Sequence, residues 1–77
     1  MSVRITVRIK DRIGVVSEVS EALSRLDIAI LSHSARVTRD RSGEHISVFR
    51  AELDTDDAET ISRKLRRIKG FISFEKN

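Results

Sequence analysis

The sequence contains no cysteine, proline, tryptophan or tyrosine, and only three glycines and three phenylalanines. Without cysteine it forms neither disulfides nor thiolate metal sites, and a reducing compartment fits this composition. With no proline and little glycine, no stretch is typical of a linker or a low-complexity tract. No apolar run reaches the length of a membrane span, and the N-terminus lacks the apolar stretch of a signal peptide. We expect one ordered, soluble, cytoplasmic domain over residues 1–77.

The charges are close to balance. Fifteen lysines and arginines stand against twelve acidic residues, a net charge of +3 spread along most of the chain. Such a mild excess does not by itself indicate nucleic-acid binding. A domain of this size hides only about 60–65% of the surface that its unfolded chain exposes. Its core is therefore thin, and a partner or a second copy of the chain is expected.

Hydrophobic periodicity predicts a strand and then a helix in the first third of the chain. Residues 3–10 alternate apolar and polar side chains, which is typical of a strand with one buried face. Residues 14–26 repeat apolar side chains at spacings of three and four, which predicts an amphipathic helix. Its buried stripe comprises Val15, Val16, Val19, Ala22, Leu23 and Leu26.

The middle of the chain predicts a hairpin. Residues 28–39 form one strand whose polar second half suggests a sheet edge, residues 40–44 form a turn around Gly43, and residues 45–53 return as a strand. Paired positions in such a hairpin sum to roughly 83. On the second strand Ile46 and Val48 lie on the face opposite Phe49, so the outer face of the sheet should be partly covered.

The last third predicts a helix and a final strand. Asp54 and Thr55 are candidate caps, Gly70 is a candidate stop, and residues 71–76 form a strand with Ile72 and Phe74 on one face. The helix would bury Ala58, Ile61, Leu65 and Ile68. The order β-α-β-β-α-β predicts an α+β, ferredoxin-like sandwich, with a four-stranded antiparallel sheet and two helices on one face.

Two stretches resemble a known family. Residues 11–19 (DRIGVVSEV), followed by residues 27–30 (DIAI), are similar to the signature of ACT domains, which are small amino-acid-sensing regulatory modules. Residues 64–75 are similar to the closing helix and strand of the ACT domain at the C-terminus of (p)ppGpp synthetase/hydrolases. The resemblance covers essentially the whole chain. It implies a regulatory domain that controls a parent metabolic or stringent-response enzyme, either as part of it or as a small separate protein.

The resemblance also implies an amino-acid site at the first loop. Unpaired backbone N–H groups of Gly14, Val15 and Val16 at a helix N-terminus would attract a carboxylate, and Asp11 would hold an ammonium group. The alternative is that the loop is only a tight connection, in which Asp11 caps backbone donors and Arg12 is solvated. The predicted ligand-binding residues are Asp11, Arg12, Ile13, Gly14, Val15 and Val16.

The chain departs from the family pattern at two positions. Asp27 stands where the family usually has glycine, and Ala29 stands where it usually has an asparagine that commonly contacts the ligand.

Pairing of two copies through the predicted edge strand gives the simplest homodimer. The predicted dimer interface comprises Ile28, Ile30, Ser32, Ser34 and Arg36.

The sequence has fewer of the residues that other classes of function require. The outward positions of the first strand carry no aromatic side chains for stacking RNA bases, so an RNA-docking or protein-docking module would rely on charge. Its candidate contacts are Arg4, Arg8, Arg36, Arg63, Arg66 and Arg67. An acylphosphatase-like enzyme would need an asparagine at a phosphate loop, but the single asparagine is Asn77. We therefore expect neither catalysis nor a cofactor.

The two histidines are the remaining candidate metal ligands. In the predicted hairpin His33 lies opposite Arg50 and His45 lies opposite Thr38, about five residues apart along the sheet. That spacing corresponds to roughly 16 Å, at about 3.3 Å per residue. One chain could not bring both imidazoles to one ion, so no metal site is expected.

Overall fold

A computed structural model describes all 77 residues of the chain. Its strands are β1 (Val3–Lys10), β2 (Ile30–Arg39), β3 (His45–Leu53) and β4 (Phe71–Lys76), and its helices are α1 (Val15–Arg25) and α2 (Ala58–Leu65). All strand pairs are antiparallel, in the order β2-β3-β1-β4. This is the predicted ferredoxin-like sandwich. Neither helix is long and apolar enough to cross a membrane.

The core lies between the helices and one face of the sheet. All four apolar residues of β1 are at most 5% exposed and point toward the helices. The helices contribute a stripe that is at most 6% exposed, because apolar positions three and four residues apart share one side of a helix. The helical core residues are Val15, Val19, Ala22, Leu23, Ile61 and Leu65. The alternation of apolar and polar residues in β1 is therefore sufficient to decide which of its faces is buried.

The β2–β3 hairpin has a different register from the predicted one. Paired positions sum to 84, so His33 lies opposite Ala51 and His45 lies opposite Arg39. The turn is closed by the backbone N–H of Asp40, which donates to the carbonyl oxygen of Glu44 at 2.9 Å. Near the other end, Leu31 is an extra residue that shifts the register by one. Because side chains alternate with a period of two, the one-residue difference changes which side chains share a face.

The start of β2 was also predicted wrongly, because the strand begins at Ile30 rather than at residue 28. The chain first closes α1: the backbone N–H of Asp27 donates to Ser24 O at 3.0 Å, and that of Ile28 donates to Leu23 O at 3.3 Å. Asp27 adopts a φ of 59°, in the left-handed region. Glycine takes this conformation most easily, and the family that the sequence resembles usually has glycine at this position.

The ends of α2 lie inside the predicted ones. Its cap is Asp57, not Asp54 or Thr55, and the Asp57 carboxylate accepts a hydrogen bond from the backbone N–H of Thr60 at 3.1 Å. Several acidic and hydroxyl residues precede the helix, and only geometry selects among them. The helix ends at Leu65, and Gly70 lies in the turn that leads to β4.

The face assignment in β4 was wrong as well. The pairing of β1 with β4 shifts by one position, so that Phe71 lies opposite Ile9 and Phe74 lies opposite Val7. Both phenylalanines pack against the core, whereas Ile72 is 45% exposed. The irregularity places Ile72 outside the paired positions, which alternation alone could not predict.

The partly covered outer face of the sheet is confirmed. Ile46 is 9% exposed and Val48 is 3% exposed, yet neither belongs to the core between sheet and helices. The cross-strand neighbours of Val48 are Arg8 and Arg36. Long arginine side chains can shield apolar surface with their stems and keep their charges in water. The outer face therefore combines a small apolar base with arginine head groups.

Candidate functional site

The β1–α1 loop, residues 11–14, is fixed where β1 meets its neighbours. The backbone N–H of Lys10 donates to Gly70 O at 2.9 Å, and that of Asp11 donates to His45 O at 3.0 Å. Gly14 then adopts a φ of 83° and is the N-cap of α1 without a side-chain hydrogen bond. Glycine is suited to this left-handed conformation, and the absence of a Cβ leaves space beside the backbone. The loop thus presents bare backbone at the start of a helix.

Not all of the predicted backbone donors are free. The N–H of Val15 donates to Arg12 O at 3.2 Å, and the Val15 side chain is 2% exposed in the core. The N–H groups of Gly14, Val16 and Ser17 donate to no acceptor of the protein. Donors at a helix N-terminus favour an anion, because their partial positive charges point outward. The free donors suited to a carboxylate are therefore those of Gly14, Val16 and Ser17, whereas the sequence predicts those of Gly14, Val15 and Val16.

The side chains of the loop have different environments. Arg12 Nη2 forms an ion pair with Glu18 at 2.6 Å and donates to Lys69 O at 3.4 Å, so Arg12 fastens the loop instead of being freely solvated. The carboxylate of Asp11 forms no side-chain hydrogen bond, which leaves it available to an ammonium group and excludes the capping role considered for it. Ile13 is fully exposed. The loop therefore offers backbone donors for a carboxylate and a carboxylate for an ammonium group, which are the two charged groups of an amino acid.

The two positions that depart from the family pattern, Asp27 and Ala29, lie away from the loop. Asp27 and Ala29 line a shallow depression of about 380 Å³ beside the last turns of α1. The loop lies at the first turn of the same helix, and a helix of 11 residues spans about 16 Å. A single chain therefore does not bring Ala29 and the loop to one ligand. A neighbouring domain would be needed to complete such a site.

The predicted interface residues occupy several environments. Ser32, Ser34 and Arg36 are exposed on the outer face of β2, whereas Ile30 is partly buried against the core. Ile28 precedes the strand and is also partly buried. Nine of the ten residues of β2 are exposed, and β3 is its sole partner. One entire edge of this strand is open.

The six arginines of the docking alternative separate into two groups. Arg4, Arg8 and Arg36 project from the outer face of the sheet. Arg4 lies opposite Glu52 on β3, and Arg8 and Arg36 lie on either side of Val48. The second group, Arg63, Arg66 and Arg67, belongs to α2 and the turn after it. Arg66 lies over the ring of Phe71, with 5.3 Å between the guanidinium carbon and the ring centre. One surface does not unite them.

Sequence reasoning missed Arg50 as a member of the first group. Its opposite neighbours are Thr6 on β1 and Ser34 on β2, which places it near the centre of the outer face. The signal was present, because Arg50 is in phase with Ile46 and Val48 on β3. Its neighbours on β2 depended on the hairpin register, which the sequence did not determine.

The histidines lie farther apart than expected. His33 and His45 are separated by six positions along the hairpin ladder, which corresponds to about 20 Å. The ring of His33 stacks on that of Phe49, with 5.7 Å between ring centres and 17° between planes. His33 thus covers an edge of the core, and the two imidazoles cannot hold one ion.

Comparison with known proteins agrees with the fold. The model of the ACT domain family matches residues 3–70. The crystal structure of the ACT domain from the GTP pyrophosphokinase of Chlorobium tepidum superimposes with a TM-score of 0.71 and 18% identity, covering 100% of this chain and 97% of that one. The solution structure of the same domain gives 0.69 and 19%, covering 100% and 85%.

A larger protein contains a similar domain. The formyltetrahydrofolate deformylase of Pseudomonas putida KT2440 superimposes with a TM-score of 0.69 and 20% identity, covering 100% of this chain and 28% of that one. No curated protein sequence matches the chain. The family model spans most of the chain, including the glycine loop and both helices. The chain therefore belongs to the ACT domain family.

Proposed function

We propose that this ACT domain regulates a cytoplasmic parent enzyme of the (p)ppGpp synthetase type, by pairing with a second copy and binding a small amino acid. The similarity to the domain of a GTP pyrophosphokinase supports this kind of parent. The open edge of β2 is the observation on which the pairing depends. Binding between copies would bias the active and inactive states of the parent, because a ligand favours the state that it binds more tightly.

The way the helices cover the sheet supports the proposed pairing. The two helices share one apolar core with β1, β3 and β4, but the helix side of β2 stays exposed at Ala35 and Val37, the latter 54% exposed. The outer edge of β2 also carries N–H and C=O groups without a strand partner, and such edges readily add another strand. Two copies related by a two-fold axis would join their β2 strands into one eight-stranded sheet.

Pairing also accounts for the separated halves of the amino-acid site. The free donors of Gly14, Val16 and Ser17 suit a carboxylate, and Asp11 suits an ammonium group, but nothing in the same chain closes the loop from above. A second copy placed beside α1 would supply the missing wall. At that wall the small side chain of the partner's Ala29 would leave space, at the cost of the amide that ACT domains commonly use.

Sedimentation equilibrium over a range of concentrations tests the pairing. We expect a monomer–dimer equilibrium, and the variant Val37→Lys should raise the dimer dissociation constant by about tenfold or more, since it buries a charge at the joint. Ile72→Lys is the matched control, because Ile72 is a 45% exposed residue near the opposite edge of the sheet. A protein that stays monomeric at high micromolar concentration overturns the proposed pairing.

An amide NMR titration with each of the twenty amino acids tests the ligand. Saturable shifts should appear at Gly14, Val16 and Ser17 with one amino acid, and its carboxamide derivative should lose them because the helix donors require a carboxylate. The titration at two protein concentrations separates ligand binding from dimerisation. Flat spectra with all twenty amino acids, in a sample shown to be dimeric, would reject the amino-acid site and leave the pairing intact.

A further inference from the structure

The outer face of the sheet carries a group of four arginines, and only one of them, Arg36, belongs to the strand proposed to pair. We propose that this face, centred on Arg50, binds a compact ligand that bears two or more phosphate groups. The proposal is independent of the amino-acid site, which lies at the N-terminus of α1. It concerns the arginine face, defined as Arg4, Arg8, Arg36 and Arg50.

The strand register assembles the arginine face. Arg50 lies opposite Thr6 on β1, so its two diagonal neighbours on that strand are Arg4 and Arg8. Arg50 also lies opposite Ser34 on β2, where a diagonal neighbour is Arg36. Diagonal neighbours in a sheet have Cα atoms about 7–8 Å apart, within reach of long side chains. Three arginines therefore surround a fourth on one surface.

Most of these charges have no partner in the protein. Arg8 forms an ion pair with Glu75 at 2.6 Å, but Arg4, Arg36 and Arg50 form no salt bridge and donate no side-chain hydrogen bond. The one carboxylate next to them on β3, that of Glu52, accepts instead from the hydroxyl of Ser2 at 2.8 Å. Like charges placed this close repel one another. An anion that bridges them would relieve the repulsion and gain charge-assisted hydrogen bonds.

The surface is concave at this point. A depression of about 530 Å³ lies over the sheet and is lined by three of the four arginines, with hydroxyl groups on its β2 side. This volume is in the range of small-molecule sites, about 300–1,000 Å³. Ser32 and Ser34 can donate hydrogen bonds there, whereas the hydroxyl of Thr6 already donates to Asn77 Oδ1 at 2.8 Å. Guanidinium and hydroxyl donors together suit phosphate oxygens.

A compact ligand fits this surface better than a nucleic-acid strand. The outer positions of the four strands include no aromatic side chain, so no base could stack on the sheet. The depression is also lined by the carboxylates of Glu52 and Glu75. A strand of nucleic acid that crossed the whole face would bring its phosphates close to both carboxylates. A small polyphosphate could instead centre on Arg50, whose cross-strand partners Thr6 and Ser34 are uncharged.

Titration with inorganic triphosphate, followed by amide NMR and calorimetry, tests the proposal. We expect saturable binding with shifts centred on Thr6, Ser34 and Arg50, stronger for triphosphate than for sulfate at equal ionic strength. Arg50→Gln should weaken binding by about tenfold or more, because it removes the central bidentate donor. Arg4→Gln is a second variant, in case the first disturbs the sheet.

Arg67→Gln is the control, because it removes the same charge from the turn after α2, away from the outer face of the sheet. Three results overturn the proposal: no saturable shift at millimolar triphosphate, an equal loss in the control variant, or tighter binding of an RNA oligonucleotide than of triphosphate. The last would identify the arginine face as a nucleic-acid surface. None of them bears on whether the domain pairs or binds an amino acid at its loop.

Discussion

The guanidinium of Arg12 lies 2.6 Å from the carboxylate of Glu18 and 3.4 Å from the carbonyl oxygen of Lys69. One side chain thereby joins the β1–α1 loop to the first turn of α1 and to the turn before β4. The two charged side chains are 37% and 43% exposed, so water weakens their attraction. The contact therefore orders the loop more than it stabilises the fold.

A double-mutant cycle of Arg12→Ala and Glu18→Gln should give a coupling free energy of about 0.5–1 kcal/mol in urea unfolding, typical of an exposed pair with good geometry. The pair of Arg25 and Glu21, at 3.7 Å and about 70% exposed, is the comparison and should give less. Amide relaxation should show faster motion at Ile13 and Gly14 in Arg12→Ala. Unchanged relaxation there would show that the backbone alone fixes the loop.

Two carboxylates should make stability depend on pH in acid. The hydroxyl and then the backbone N–H of Thr60 hold the pKa of Asp57 below its usual value of 3.8, and the hydroxyl of Ser42 has the same effect on the pKa of Asp40. A carboxyl whose pKa is lower in the folded state binds protons more weakly there than in the unfolded chain. Its contribution to stability is therefore present above pH 3.8 and is lost as pH falls through the folded-state pKa.

The double variant Asp40→Asn, Asp57→Asn should consequently lose less stability on acidification than the parent chain. Urea midpoints measured between about pH 6 and about pH 2 give the comparison. Asp54→Asn, Asp56→Asn is the control, since these side chains form no hydrogen bonds. Parallel pH profiles for the parent chain and the first double variant would contradict the assigned role.

Asp27 should be a site where one substitution stabilises the domain. Its φ of 59° strains a residue with a Cβ, although aspartate tolerates this region better than most residues. Asp27→Gly should raise the free energy of unfolding by about 0.5–1 kcal/mol, and Asp27→Ala should lower it. Urea denaturation measures both changes. A destabilised glycine variant would mean that the carboxylate contributes more than the strain costs.

The same substitution at two leucines should separate core from surface. Leu23 is fully buried on the core side of α1, whereas Leu31 is 54% exposed at the irregular start of β2. Leu23→Ala should cost about 2–5 kcal/mol, a large part of the stability of so small a domain. Leu31→Ala should change stability by less than about 0.5 kcal/mol, measured at low concentration where pairing does not contribute. Similar losses would mean that the edge of the sheet is tied more firmly to the core than the exposure of Leu31 indicates.

The sequence by itself determined the order of elements, and with it the fold. The alternation in Val3–Lys10 and the helical spacing of Val15, Val19 and Leu23 each permit one element with one buried face. The position of the glycine loop was also predictable, because Gly14 stands between the two patterns. In the structure Gly14 takes a left-handed conformation. Local periodicity and backbone sterics suffice for such features, since they involve neighbours in the chain.

Tertiary structure decided what depends on distant partners. The hairpin register, the irregularities at Leu31 and Ile72, and the choice of Asp57 as a cap each result from how strands and helices fit the same core. The arginine face needed the register too, because paired positions that sum to 83 would place His33 opposite Arg50 and put Arg36 on the other face of the sheet. A sequence fixes which way a side chain alternates along its own strand, but packing selects the neighbours across the sheet, and a shift of one residue exchanges them.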